Sequence, residues 1–298
     1  MSSDTLNATQ LAEDEVVFPR RRYGQWISAA VVVILALLLV RVIVTNDHFQ
    51  WDVVGDYFTT RSVLVGLART LQLTAIAMVV GLALGLPLAV MRQSSNRLLR
   101  TSSFLFVWFF RGTPVLVQII FWFNLSALFP TLSLGIPGGP TLFEANTNTV
   151  ITPLLAAILA LGLNQGAYTA EIVRSGLLAV DQGQTDAAAA IGMTRAQTLR
   201  KIVLPQAMRV IVPPLGSETI SMLKVTSLVS VISLSELLYS VQAIYQATYQ
   251  VIPLLLVASI WYLIVVSVLS VGQYFLERHF GRGTGRLKQN TSRIEAAA

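Results

Sequence analysis

Val251 to Gly272 reads VIPLLLVASIWYLIVVSVLSVG, 22 residues without one charged side chain. A bilayer core is about 30 Å thick and a helix rises about 1.5 Å per residue, so about 20 apolar residues cross it. The stretch therefore predicts a membrane-spanning helix. Five further stretches of the chain are candidates. They are Trp26 to Val44 (WISAAVVVILALLLVRVIV), about Gly66 to Met91, a segment within Ser103 to Phe129, about Val150 to Ile172, and part of Arg209 to Leu238. The expected fold is an all-α integral membrane protein with about six transmembrane helices. Composition agrees: 54% of the 298 residues are hydrophobic and 12% are charged, against about 25% charged in soluble domains. An ordinary cytosolic enzyme is excluded. The chain has no cysteine, which removes disulfides, thiolate metal sites and Cys nucleophiles. Its two histidines, His48 and His279, are too far apart in sequence for a metal cluster.

The net charge of +6 requires no nucleic acid, because its distribution has another cause. Basic residues gather before the first span (Arg20, Arg21, Arg22) and after the second (Arg92, Arg97, Arg100). They gather again between the fourth and fifth (Arg174, Arg195, Arg200, Lys201, Arg209) and after the sixth. The alternate connections are nearly bare of them. Cytoplasmic loops carry such an excess, so both termini are expected in the cytoplasm. Residues 1–25 are expected to form a disordered cytoplasmic lead, 26–44 an extra N-terminal transmembrane helix, and 279–298 a basic cytoplasmic tail. The first 18 residues are polar and acidic, unlike a signal peptide. Residues 127–149, rich in Pro, Gly and Thr with Glu144 as the single charge, read as an extracytoplasmic loop rather than a folded domain.

Asp181 to Pro205, DQGQTDAAAAIGMTRAQTLRKIVLP, predicts a helical hairpin on the cytoplasmic side. Asp181 and Asp186 favour a helix start, four alanines continue it, and Gly192 fits the turn that ends it. Thr194 followed by Gln197 is a capping-box pattern, so a second helix should begin near Arg195 and stop before Pro205. Alanines in a row offer a smooth surface that fits another protein's groove. The plain alternative is a solvated connection between two spans.

The spacing of this stretch resembles the coupling loop of binding-protein-dependent ABC importer permeases. Asp186, Ala187, Ala188, Gly192, Ile202, Leu204 and Pro205 occupy the slots of that pattern, with Asp where the family has Glu. Four further stretches look like the polar amino-acid uptake subfamily. They are Thr70 to Gly85, Arg111-Gly-Thr-Pro114 with Val117-Gln118, Ala167-Tyr168 with Glu171 and Arg174, and Pro213 to Gly216 followed by Leu223 to Leu228. Together they cover about residues 60–278, a five-helix permease core. Val225 stands after Lys224 where the subfamily commonly has Asp. The resemblance implies two cytoplasmic ABC ATPase subunits, a second permease subunit and an extracytoplasmic amino-acid-binding protein as partners. It also implies a multi-pass place in a bacterial inner membrane. ATP and Mg would be bound by the ATPases, since this chain has no G-x-x-x-x-G-K-[ST] phosphate loop, and no cofactor or catalytic residue is expected in the chain itself.

Ionisable and polar groups at membrane depth are functional candidates. Asn164, Tyr168, Glu171 and Arg174 share one helical stripe that would line the interior between spans, with Glu171 and Arg174 able to pair. Glu218 and Lys224 lie about 120° apart around their helix, so each needs a separate partner. Thr113 and Pro114 fit the N-cap and first position of a membrane helix, which would leave 96–111 as an interfacial helix and Arg111 at the headgroups. Gln118 faces either the translocation path or a neighbouring helix. The substrate-path candidates are Gln118, Asn164, Tyr168, Glu171, Glu218, Lys224 and Ser227; Arg111, Thr113, Pro114 and Arg174 are expected to be structural. The expected function is the permease subunit of an ATP-driven importer of polar amino acids, and its competitor is an ion-gradient-driven secondary carrier.

Overall fold

The computed structural model describes residues 23–135 and 141–281. Most of the expected disordered lead and of the basic tail lie outside them; residues 23–25, expected in the lead, are helical instead. The described chain forms two units, residues 23–50 and 51–281. The first is a single helix, α1 (Tyr23–Thr45), with a short 3-10 turn after it.

In the second unit α2 (Trp51–Phe58) precedes α3 (Arg61–Arg92). Two helices follow, α4 (Arg97–Gly112) and α5 (Val115–Phe123), bent by 100° at their junction. A β-hairpin, β1 (Thr131–Gly135) with β2 (Thr141–Asn146), leads to α6 (Pro153–Leu178). Then come α7 (Gln182–Ala190) and α8 (Arg195–Thr198), a π-turn at Leu199–Val203, and α9 (Leu204–Val225). A 3-10 segment at Thr226–Ile232 extends α9, followed by α10 (Leu237–Thr248) and α11 (Val251–Phe280).

Among the described residues four helical segments are long and apolar enough to cross a membrane, and a fifth if the bent α4–α5 pair is one span. The expected count of six is therefore met only loosely. The third candidate is a broken helix. The fourth, α6, has 26 residues but is less apolar than the others, because Asn164, Gln165, Tyr168 and Thr169 interrupt it. That polarity suits its position, for α6 is the central helix, and Ala157, Ala160 and Leu161 are fully buried. Small residues let α3 and α6 meet at the backbone. A Cβ on Gly81 would stand 2.4 Å from Gln165 Cγ, one on Gly85 2.5 Å from Thr169 Cβ, and one on Gly162 2.6 Å from Val80 Cγ1. Glycine spaced by four on both helices makes this contact possible.

Two local expectations are corrected. The outer loop is partly built into the antiparallel pair β1–β2, because Thr and Phe at alternate positions fit a pleated ribbon. The second hairpin helix does not stop before Pro205. Proline lacks the N–H and its ring would clash with the carbonyl four residues back, and the chain meets this by widening into the π-turn, where the Leu204 N–H bonds the Leu199 carbonyl. The helix then runs on into α9.

Candidate functional site

The coupling-loop candidates form an exposed hairpin whose ends are satisfied locally. Asp181 is the N-cap of α7, its Oδ1 accepting from the Gly183 N–H at 2.7 Å. Asp186 is not a cap. It lies one turn in, accepting from the Gln182 amide at 3.3 Å. At the other end the Met193 N–H bonds the Ala188 carbonyl and the Gly192 N–H bonds the Ala189 carbonyl, each at 3.0 Å, a Schellman closure. It requires the left-handed φ of +77° found at Gly192. Thr194 and Gln197 then form the capping box that opens α8. Ala187, Gly192 and Pro205 are exposed, Ala188 is buried, and Ile191 is 78% exposed. The hairpin thus presents an apolar tip on a short rigid helix. Behind it a cavity of about 1060 Å³ opens between the ends of α3 and α6 and residues Thr185, Arg195 and Leu199.

The polar candidates on α6 converge on the α4–α5 break. Helix ends leave carbonyls without partners, and in a membrane no water satisfies them. Asn164 Nδ2 donates to the Phe110 carbonyl at 2.6 Å. Gln118 Nε2 reaches the same carbonyl at 3.1 Å and the Thr113 hydroxyl at 2.8 Å. Gln118 and Asn164 are each 5% exposed, so both are held inside the protein. Pro114, rather than Thr113, is the N-cap of α5, and Thr113 closes α4.

Further along the stripe, Arg111 lies over the Tyr168 ring at 5.0 Å. Arg174 pairs with Glu171, its Nε 3.1 Å from both carboxylate oxygens, and Arg92 approaches the same carboxylate at 4.0 Å. Arg92, Phe104, Trp108, Arg111, Tyr168 and Glu171 surround a cavity of about 380 Å³. Elsewhere Lys224 and Ser227 line a cavity of about 400 Å³ with Ser259 and Tyr262. Glu218, partly buried on α9, lies in neither cavity lining.

A family model described as the binding-protein-dependent transport system inner membrane component matches residues 77–282. The chain belongs to that family. The match takes in the helix break, the α6 stripe and the whole hairpin of this inner membrane component. The chain is 42% identical over 271 residues to the arginine transport system permease protein of Corynebacterium glutamicum, covering 90% of this chain and 84% of that protein. It is 36% identical over 233 residues to the L-cystine transport system permease protein of Bacillus subtilis, covering 78% and 92%. Among solved structures it is similar to an amino acid ABC transporter with histidines, with a TM-score of 0.63 and 33% identity over 73% of this chain and 94% of that one.

Sequence reasoning passed over one polar centre of this inner membrane component. Glu236, 1% exposed, caps α10 by accepting from the Leu238 and Tyr239 N–H groups at 2.9 and 2.7 Å. It also accepts from the Tyr262 hydroxyl at 3.1 Å and the Thr70 hydroxyl at 3.4 Å. One carboxylate thereby ties α3, α10 and α11 together. Thr70 and Tyr262 are too distant in sequence for any local pattern to flag the cluster, and Glu is not among the residues that usually mark an N-cap.

Proposed function

We propose that this chain is the membrane-spanning permease subunit of an ATP-driven importer of polar amino acids, with both termini in the cytoplasm. As a member of its family it is an inner-membrane component of a binding-protein-dependent system and not itself an enzyme; ATP hydrolysis belongs to partner subunits. Two cytoplasmic ATPases bind the ATP and Mg, a second permease subunit completes the path, and an extracytoplasmic binding protein delivers the solute. The named relatives make arginine the first substrate to try.

The observation that carries this reading is the hairpin. Its exposed alanine helix α7 is closed by Gly192 and continues through α8 and the π-turn into α9 without a flexible linker. A push on α7 is therefore passed directly to a membrane-spanning helix. Closure of the ATPases would move the hairpin, tilt α9 and alternate access. Asp186, Ala187, Ala188, Gly192, Ile202, Leu204 and Pro205 form that coupling element. Tyr168, Glu171, Glu218, Lys224 and Ser227 line the path, while Gln118 and Asn164 act by holding the break that shapes it.

The test is uptake of labelled arginine by proteoliposomes containing the permease, its ATPase and its binding protein. Uptake that requires ATP and all three components is expected. Transport by the chain alone on a proton or sodium gradient would instead make it a secondary carrier.

A further inference from the structure

Helix α9 is weakest in its middle. Pro213 and Pro214 follow each other there, and neither has an N–H, so the Arg209 and Val210 carbonyls lose their helical donors. Packing is thin at the same place. Before the prolines, Ala207 and Ile211 are buried with Ala89 of α3 and Val173 of α6; after them, Met222 is buried in the core that holds Leu73 and Leu161. No residue from 212 to 221 is buried. A helix kinks where proline removes its bonds, so a push from the hairpin would bend α9 here instead of travelling along it.

Gln273 of α11 reaches into this weak stretch. Its Nε2 donates to the Pro213 carbonyl at 2.8 Å and to the Glu277 carboxylate at 2.7 Å, and it lies 3.4 Å from the Ser217 hydroxyl. Gly216 makes the approach possible, because a Cβ there would fall on Gln273 Oε1. One amide thus joins α11 to α9 at the point where the bonds of α9 itself fail. We propose that Gln273 braces the coupling path: by holding the Pro213 carbonyl from α11 it keeps α9 stiff across its double proline, so that movement of the hairpin reaches the translocation path instead of being absorbed. Gln273 is a positioning residue and touches no solute. This inference rests on the importer function above.

The experiment uses proteoliposomes containing the permease, its ATPases and its binding protein, and measures the ATP hydrolysed per labelled amino acid imported. Gln273→Leu, which removes the donor, should raise this ratio about twofold to tenfold, the equilibrium worth of one hydrogen bond, with ATP hydrolysis and melting temperature retained. Gln273→Glu has the same size but a carboxylate in place of the N–H groups, and should do the same. Gly216→Ala, which displaces the amide, should raise the ratio as well. Combined with Gln273→Leu it should add nothing, since both remove one contact. An unchanged ratio in both Gln273 variants, whether or not the melting temperature falls, overturns the brace while the importer function stands. So do effects of Gly216→Ala and Gln273→Leu that simply add. A wild-type assembly that hydrolyses ATP but imports no amino acid overturns both.

Discussion

The Gly192 turn and the Thr113–Pro114 break both redirect a helix, and they are built by opposite means. At the turn the capping bonds all lie within five residues, to the Ala188 and Ala189 carbonyls on one side and between Thr194 and Gln197 on the other. At the break the Phe110 carbonyl is met by Gln118 and by Asn164, 54 residues away on α6. The bonds that shape the first come from the hairpin itself. The second cannot move without disturbing the central helix. Such a division suits a machine in which an outer lever swings against a fixed inner frame.

That contrast can be broken by substitution. The largest effect should come from replacing Gln118 and Asn164 together by leucine. A buried carbonyl left unsatisfied costs about 1–3 kcal/mol, so a marked fall in the detergent melting temperature is expected; an unchanged one would mean that the break holds itself. Gly192→Val should come next. A non-glycine residue in the left-handed region costs roughly 1–2 kcal/mol, and nothing lies within 4 Å of the added Cβ. The damage should therefore stay in the hairpin: ATP-coupled uptake and ATPase docking lost, global melting unchanged. Intact uptake would remove the hairpin from the mechanism.

Smaller effects are expected at the hairpin's two aspartates. Asp181→Ala removes an N-cap worth about 1 kcal/mol, and hydrogen exchange should quicken in α7 alone. Asp186→Ala, which removes only the Gln182 contact, should change hairpin stability by a few tenths, about 0.2–0.5 kcal/mol. If Asp186→Ala quickens exchange as much as Asp181→Ala, the cap assignment is wrong.

The same division explains what could be read from sequence. The hairpin was legible because caps, the Gly192 turn and the Thr194–Gln197 box are encoded within a few positions. The apolar spans were legible by length. The 100° break was only half visible: Pro114 announced a boundary, but the sequence alone left open whether Gln118 faced a path or a helix. Its hydrogen bonds depend on the distance between α5 and the end of α4, which tertiary packing sets. Glu236 was missed for the same reason, since Thr70 and Tyr262 reach it from helices far apart in sequence. Pro205 misled because a helix stop and a π-turn start from the same missing N–H.

The chain contains no cysteine, so a single one can be introduced at the hairpin and labelled selectively. A photoreactive maleimide can be attached to a single Ala189→Cys at the exposed hairpin, and the assembled transporter illuminated with and without ATP. A cross-link from this position to the ATPase subunit is expected, with a yield that changes when ATP is bound. ATP-driven uptake that persists while no ATPase is ever captured from the hairpin would contradict it.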